Sequence, residues 1–174
     1  MNGNGFVFAV PGGGKSFTGA KMEAGSVFLN TEDDIIFVDP TLEYFDVAEA
    51  YGGVAINLAT YTDKYLNPLE VDLESLDIDD TDGQIRDKCS FMLGICEQAM
   101  DGGILPEYKS IIDRSVRKMY KSIAMLPKEK RVQPIMSDFL EVLKEQEEAE
   151  ARKIKLVLEI FVEGSLNIFN HQTN

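Results

Sequence analysis

No apolar run in this chain approaches the roughly 20 residues needed to cross a bilayer, so a membrane span is not expected. Met1-Asn2-Gly3-Asn4-Gly5 carries no basic residue and no long apolar stretch follows it, so no signal peptide is expected either. Positive charge is also scarce: 17 Lys and Arg stand against 30 Asp and Glu, a net charge of −13. That balance disfavours strong non-specific binding to a nucleic-acid backbone. The densest basic stretch, Lys128-Glu129-Lys130-Arg131, reads as a solvated loop. There are only two cysteines, Cys89 and Cys96. On one helix face they sit two turns apart, about 10 Å, too far for a disulfide. With no histidine near them a zinc site is not expected, and they read as reduced core residues of a cytosolic protein. The single histidine, His171, has no Asp or Ser at a recognisable catalytic spacing and reads as structural. Internal repeats and low-complexity segments are absent. The remaining composition, 44% apolar and 27% charged over 174 residues, is that of a globular chain with room for one domain, or one domain and a lobe.

What is present is a concentrated glycine signal. Phe6-Val7-Phe8-Ala9-Val10 is an apolar run of strand formers, and Pro11-Gly12-Gly13-Gly14-Lys15-Ser16-Phe17 follows it. A strand, a glycine-rich turn and a helix opening on Lys-Ser is the context of a phosphate-binding P-loop. Glycines let backbone N–H groups close around phosphate oxygens. Lys15 would reach the β- and γ-phosphates, Ser16 would hold Mg²⁺, and the following helix would aim its N-terminus at the anion. Ala9 stands where the motif G-x-x-x-x-G-K-[ST] has its first glycine.

The pattern predicts strands at Phe6–Val10, 35–38 and Val54–Leu58, with helices from Lys15 to about Phe28 and from Leu42 to Tyr51. Alternating strands and helices imply right-handed crossovers and a parallel sheet. Gly19 and Gly25 weaken the first helix on propensity alone. Val71 to Asp82 reads as an acidic linker, and Thr81-Asp82-Gly83-Gln84 as a capping box. Beyond it the chain reads as helical. One stripe is Ile85, Cys89, Met92, Leu93, Cys96 and Met100, ended by Asp101-Gly102-Gly103. A second follows Pro106, with Tyr108, Ile112, Val116, Met119 and Ile123 flanked by Ile111 and Tyr120. Ser137 would cap a third helix carrying Leu140 and Leu143. Ile154, Val157, Leu158 and Phe161 mark a fourth, ended by Gly164. The expected fold class is therefore α/β: a P-loop domain with a parallel sheet, then an all-helical lobe. Its divisions are 1–70 for the P-loop core, 71–164 for the lobe and 165–174 for a return segment.

A second constellation is Asp39-Pro40-Thr41-Leu42-Glu43-Tyr44 at the end of the expected second strand. The carboxyl edge of a parallel sheet is where ligands bind, which makes Asp39 and Glu43 candidate acids for ordering water or Mg²⁺. The other reading of Asp39 is a cap beside a proline. Tyr65-Leu66-Asn67-Pro68-Leu69 contains an Asn-Pro turn signal.

These motifs in this order, with Gly-Ser-Leu-Asn-Ile-Phe at 164–169, resemble the nucleotide-binding domain of the conjugative-transfer ATPases of type IV secretion systems. Those belong to the FtsK–HerA branch of RecA-like motors, and the chain is most similar to the versions on integrative conjugative elements of Gram-positive bacteria. The resemblance covers essentially the whole chain and rests mainly on Asp-Pro-x-x-Glu-Tyr at its distance from Gly-Lys-Ser. It implies a partial RecA-like fold that binds ATP and Mg²⁺. Pro11 to Phe17 would form the nucleotide loop, Ser16 the Mg²⁺ ligand, and Glu43 with Asp39 the acidic pair near the γ-phosphate. Asn67 matches the turn after the third strand, and 84–164 matches a lobe inserted in the motor domain. It also implies a hexameric ring in the full-length protein, other secretion-channel subunits as partners, and a cytoplasmic location, free or peripheral at the inner face of the cell membrane. Against that pattern, Ala9 and Gly13 replace the usual Gly and Ser. The chain also stops before the later Walker B acids and the arginine finger, so it is expected to be a fragment with negligible turnover.

Two other classes fit the residues. One is a small P-loop nucleotide or metabolite kinase with Asp39 as the Mg²⁺ acid, although Arg86, Arg114, Arg117, Arg131 and Arg152 are scattered rather than gathered in a lid. The other is a helical interaction module that keeps a vestigial loop.

Overall fold

The structure is a computed structural model that describes residues 6–59, 62–101 and 106–174. The expected helix stop at Gly102-Gly103 and the leader reading of residues 1–5 lie outside the described residues. The chain divides into two compact units, Met1–Ile56 and Asn57–Asn174. The helical unit thus takes in residues 57–70, which the sequence pattern assigns to the P-loop core, and the 165–174 segment.

In the first unit a π-helical segment, Ser16–Glu23, runs directly into α1, Ala24–Asn30, and a short α2 spans Phe45–Ala50. Gly25 has a packing reason: a Cβ there would lie 2.5 Å from the Tyr51 hydroxyl. Phe28 stacks on the same tyrosine at 4.6 Å between ring centroids. The glycine that weakens the helix by propensity is the one that lets α1 accept the residue closing α2.

The expected parallel sheet is overturned. Among the described residues there is no strand, and every regular element is helical. The runs 6–10, 35–38 and 54–58 are irregular, with no backbone ladder between them. Phe8 is 89% exposed, Val38 91% and Val54 84%. A buried parallel strand needs a hydrogen-bonded neighbour and cover on both faces. Apolar β-formers in a row signal a wish for burial but do not supply that neighbour, and the expectation of an α/β RecA-like domain fails on this point.

The second unit is built from α3 (Gln84–Ala99), α4 (Pro106–Ala124), α5 (Met136–Lys144) and α6 (Ala149–Leu158). α4 packs against the other three, and one apolar cluster runs from Leu69 to Leu158. The stripes fall as their spacing predicts. Ile85, Cys89, Met92 and Cys96 are buried on α3, and Ile112, Val116, Met119 and Tyr120 on α4. Both cysteines are free, and burial pushes each thiol up to about 12, so they are inert core groups.

The helix starts differ from the expected caps. α3 is capped by Asp80, whose carboxylate accepts the N–H groups of Ile85 at 2.7 Å and Arg86 at 3.0 Å. The Thr81 hydroxyl donates to Asp77 instead. Gln84 reaches back to Asp72, Ser75 and Asp82. At α5, Asp138 accepts the Ile135 N–H at 2.8 Å, while the Ser137 N–H donates to Asn170 at 2.8 Å.

The acidic segment 71–82 is not a passive linker. Val71 and Leu76 are buried in the core, and Arg131 holds the segment in place. Its guanidinium donates to the carbonyls of Leu73 (2.7 Å), Leu76 (2.8 Å), Ala124 (2.8 Å) and Leu126 (3.0 Å). The Lys128–Arg131 stretch, expected as a solvated loop, is an exposed 3₁₀ turn over Lys128–Lys130 followed by the half-buried Arg131.

Residues 63–67 and 170–174 are clasped together. The Tyr65 N–H donates to Asn174 at 2.9 Å, the Asn67 N–H to Thr173 at 3.0 Å, and the Asn174 amide to the Asp63 carbonyl at 2.9 Å. The His171 ring packs against Tyr65 at 4.1 Å between centroids, tilted by 36°. Asn67 is buried, with its amide donating to Pro134 and Gln172 and its oxygen accepting the Leu69 N–H.

Candidate functional site

The glycine loop has a specific reason for each glycine. The Gly13 N–H donates to the Val10 carbonyl at 2.9 Å, closing a turn over Pro11 and Gly12. Proline presets the second position of such a turn, and the third needs a positive φ; Gly12 supplies it at +80°. Gly14 has φ +78°, again a conformation that glycine alone adopts freely. A Cβ on Gly13 would fall 2.9 Å from the Val10 carbonyl oxygen. Two glycines are thus demanded by conformation and one by close approach.

At Lys15 the backbone enters helical geometry, φ −51° and ψ −51°, and the helix begins at Ser16. The first N–H groups of a helix have no partner within it. Among the described residues no acceptor meets the N–H groups of Gly14, Lys15 or Ser16. Pro11, Lys15 and Phe17 are exposed, and Ser16 is half-buried.

The Ser16 hydroxyl donates to Glu43 Oε2 at 2.6 Å across 27 residues of chain. Ser16, expected as the Mg²⁺ ligand, and Glu43, expected as an acid ordering water or Mg²⁺, are in direct contact. Asp39 is differently occupied. Its Oδ1 accepts from the Thr41 N–H at 3.2 Å and the Thr41 hydroxyl at 3.1 Å, and its Oδ2 from the Tyr44 N–H at 2.8 Å. Burial acts to raise its pKa, but the bonds from Tyr44 and Thr41 outweigh it and hold the carboxyl below its usual range. Asp39 thus organises the 40–44 turn that carries Glu43. Leu42 completes that turn at φ +58°, a strained conformation for a branched side chain. Phe37 stacks on Tyr44 at 5.4 Å and braces it. The Asp-Pro-Thr string is itself a turn signal, so the role of Asp39 was readable; the strain at Leu42 was not.

Two groups can be tested for fit. Mg²⁺ takes hard oxygens, usually one or two from protein and the rest from water and phosphate. Ser16 Oγ and Glu43 Oε2 are such a pair, and among the described residues no cluster of three or more His, Cys, Asp or Glu offers an alternative. A phosphate chain needs donors and a cation without a Cβ in the way. The N–H groups of Gly14 to Ser16, the exposed Lys15 ammonium and the open space around Gly12 and Gly14 meet that need. Among the described residues no helix is long and apolar enough to cross a membrane. In comparisons with protein-family models, curated proteins and solved structures, the chain matches none of them.

Proposed function

We propose that residues 11–17 bind the phosphates of ATP, with Mg²⁺ held beside Ser16 and Glu43, and that the chain is the nucleotide-binding part of a conjugative-transfer ATPase. The observation that carries this reading is the 2.6 Å contact between the Ser16 hydroxyl and the Glu43 carboxylate. In this reading the N–H groups of Gly14, Lys15 and Ser16 bind phosphate oxygens, and Lys15 offsets their charge. Bound Mg²⁺ supplies charge neutralisation and orientation of the phosphates. Glu43 then accepts hydrogen bonds from water near the terminal phosphate, while Asp39 and Thr41 keep its turn in shape. Assembly into a ring, with an arginine from the neighbour, belongs to the same proposal. Within it, Asp39 is a positioning residue.

The kinase alternative requires a free Asp39 carboxylate. Both of its oxygens accept hydrogen bonds from Thr41 and Tyr44, which weighs against that reading.

Titration calorimetry with ATP, with and without Mg²⁺, tests the proposal. Lys15→Ala is expected to abolish binding with the helical content unchanged. Ser16→Ala is expected to keep weak binding and lose its enhancement by Mg²⁺. Equal affinity in wild type and Lys15→Ala overturns the reading and leaves the helical interaction module in its place.

A further inference from the structure

The second unit contains an apolar groove of about 920 Å³ that the nucleotide reading does not use. Its floor is the outer face of α3, with Phe91, Gly94 and Ile95. Its walls are the turn at Leu66 and Pro68, the start of α5 at Met136, and the rings of Phe161 and Phe169. A groove of this size with few polar groups is the usual form of a small-molecule site.

Charge is distributed unevenly along it. Lys88 lines it, its ammonium 2.9 Å from the Pro68 carbonyl and 5.5 Å from the centre of the Phe91 ring. That carbonyl satisfies one of three donors. No carboxylate lies within ion-pair distance of Lys88 among the described residues. Desolvation lowers its pKa, opposed in part by the charge of Glu70, so a second anion would relieve an existing cost. Glu97 also lines it, nine positions along α3, so roughly 13 Å further along the helix axis and about half a turn round it from Lys88. The rest of the lining is mostly apolar, with Asn67, Ser90 and Gln98 its uncharged polar residues, and at Gly94 a Cβ would meet nothing within 4 Å. The backbone of α3 is bare there, leaving room for a chain to lie against it.

We infer that this groove binds a single-chain anionic amphiphile, its carboxylate or other anionic head at Lys88 and its alkyl chain along Phe91, Gly94 and Ile95. Burial decides between the two charges: Lys88 is half-buried and Glu97 exposed, so the attraction of an anionic head to Lys88 is screened less than any interaction at Glu97, and Glu97 turns that head away from its own side of the groove.

The test is titration of the full chain with dodecanoate and with dodecyltrimethylammonium, an equally long tail of opposite charge, both below their micelle concentrations. One saturable dodecanoate site is expected, at least tenfold tighter than for the cation. Lys88→Gln is expected to weaken dodecanoate at least fivefold. Gly94→Leu, which fills the groove from a position with free space and raises helix propensity, is expected to abolish binding while thermal unfolding is unchanged or shifted upward. Absence of saturable binding, equal affinity for the two tails, or full affinity in Gly94→Leu each overturns the inference. So does a groove that takes an apolar helical peptide and refuses dodecanoate.

Discussion

Both compact units are rich in apolar runs, and they treat them in opposite ways. In Asn57–Asn174 the apolar residues face one another, from Leu69 through Phe139 to Leu158. In Met1–Ile56 burial is confined, among the described residues, to Ala24, Gly25 and Val47, and most of the apolar side chains of the runs 6–10 and 35–38 are exposed or half-exposed. The difference follows from how each element satisfies its backbone. A helix closes its own hydrogen bonds, so an amphipathic helix needs only another apolar face to pack on. A strand leaves every N–H and C=O to a neighbour. The lesson is that an apolar run predicts burial only where something else completes the backbone.

The comparison is broken most directly in the two kinds of apolar site. Phe139 is fully buried and Ile36 is 86% exposed. Phe139→Ala should cost about 3–5 kcal/mol, and Ile36→Ala should stay within about 0.5 kcal/mol, both read from urea unfolding followed by circular dichroism. A comparable loss at Ile36 would mean the first unit hides a core of its own. The next effect sharpens the account of the second unit. Arg131→Met removes hydrogen bonds to four carbonyls, and a loss of about 2–3 kcal/mol is expected from the acceptors left behind. Arg131→Lys should recover less than half, because an ammonium cannot reach the same fork of carbonyls. The smallest effect is a gain. Leu42→Gly relieves the left-handed conformation, offset by glycine's greater freedom when unfolded, for a net stabilisation of up to about 1 kcal/mol. A loss on Leu42→Gly would show that the leucine side chain matters more to the first unit than its backbone strain.

The helical unit was legible because a stripe such as Ile112, Val116, Met119 and Tyr120 states both the element and its buried face. Its caps were less so. Thr81 and Ser137 satisfy the spacing rule, yet Asp80 and Asp138 do the capping, because several short polar side chains near a helix start compete for the same N–H groups. Arg131 gave no signal at all: its partners are carbonyls, which every residue has, and only the tertiary path of 73–76 brings them together. At the candidate site, the glycines, Lys15 and Ser16 could be read individually. The pairing of Ser16 with Glu43 depended on a motif at the right distance. The three strands failed because their sequence described one partner of an interaction that takes two.

The clasp between residues 63–67 and 170–174 has a mechanical consequence. Because Tyr65 is bonded to Asn174 across 109 residues of chain, tension drawn between these two points does not pass through the four helices. It falls first on a few side-chain hydrogen bonds and one pair of packed rings. While they hold, the helical unit behaves as a closed ring hung from a single point, shielded from strain along the rest of the polypeptide. Once they part, the load passes into the bundle, so the clasp acts as a mechanical fuse.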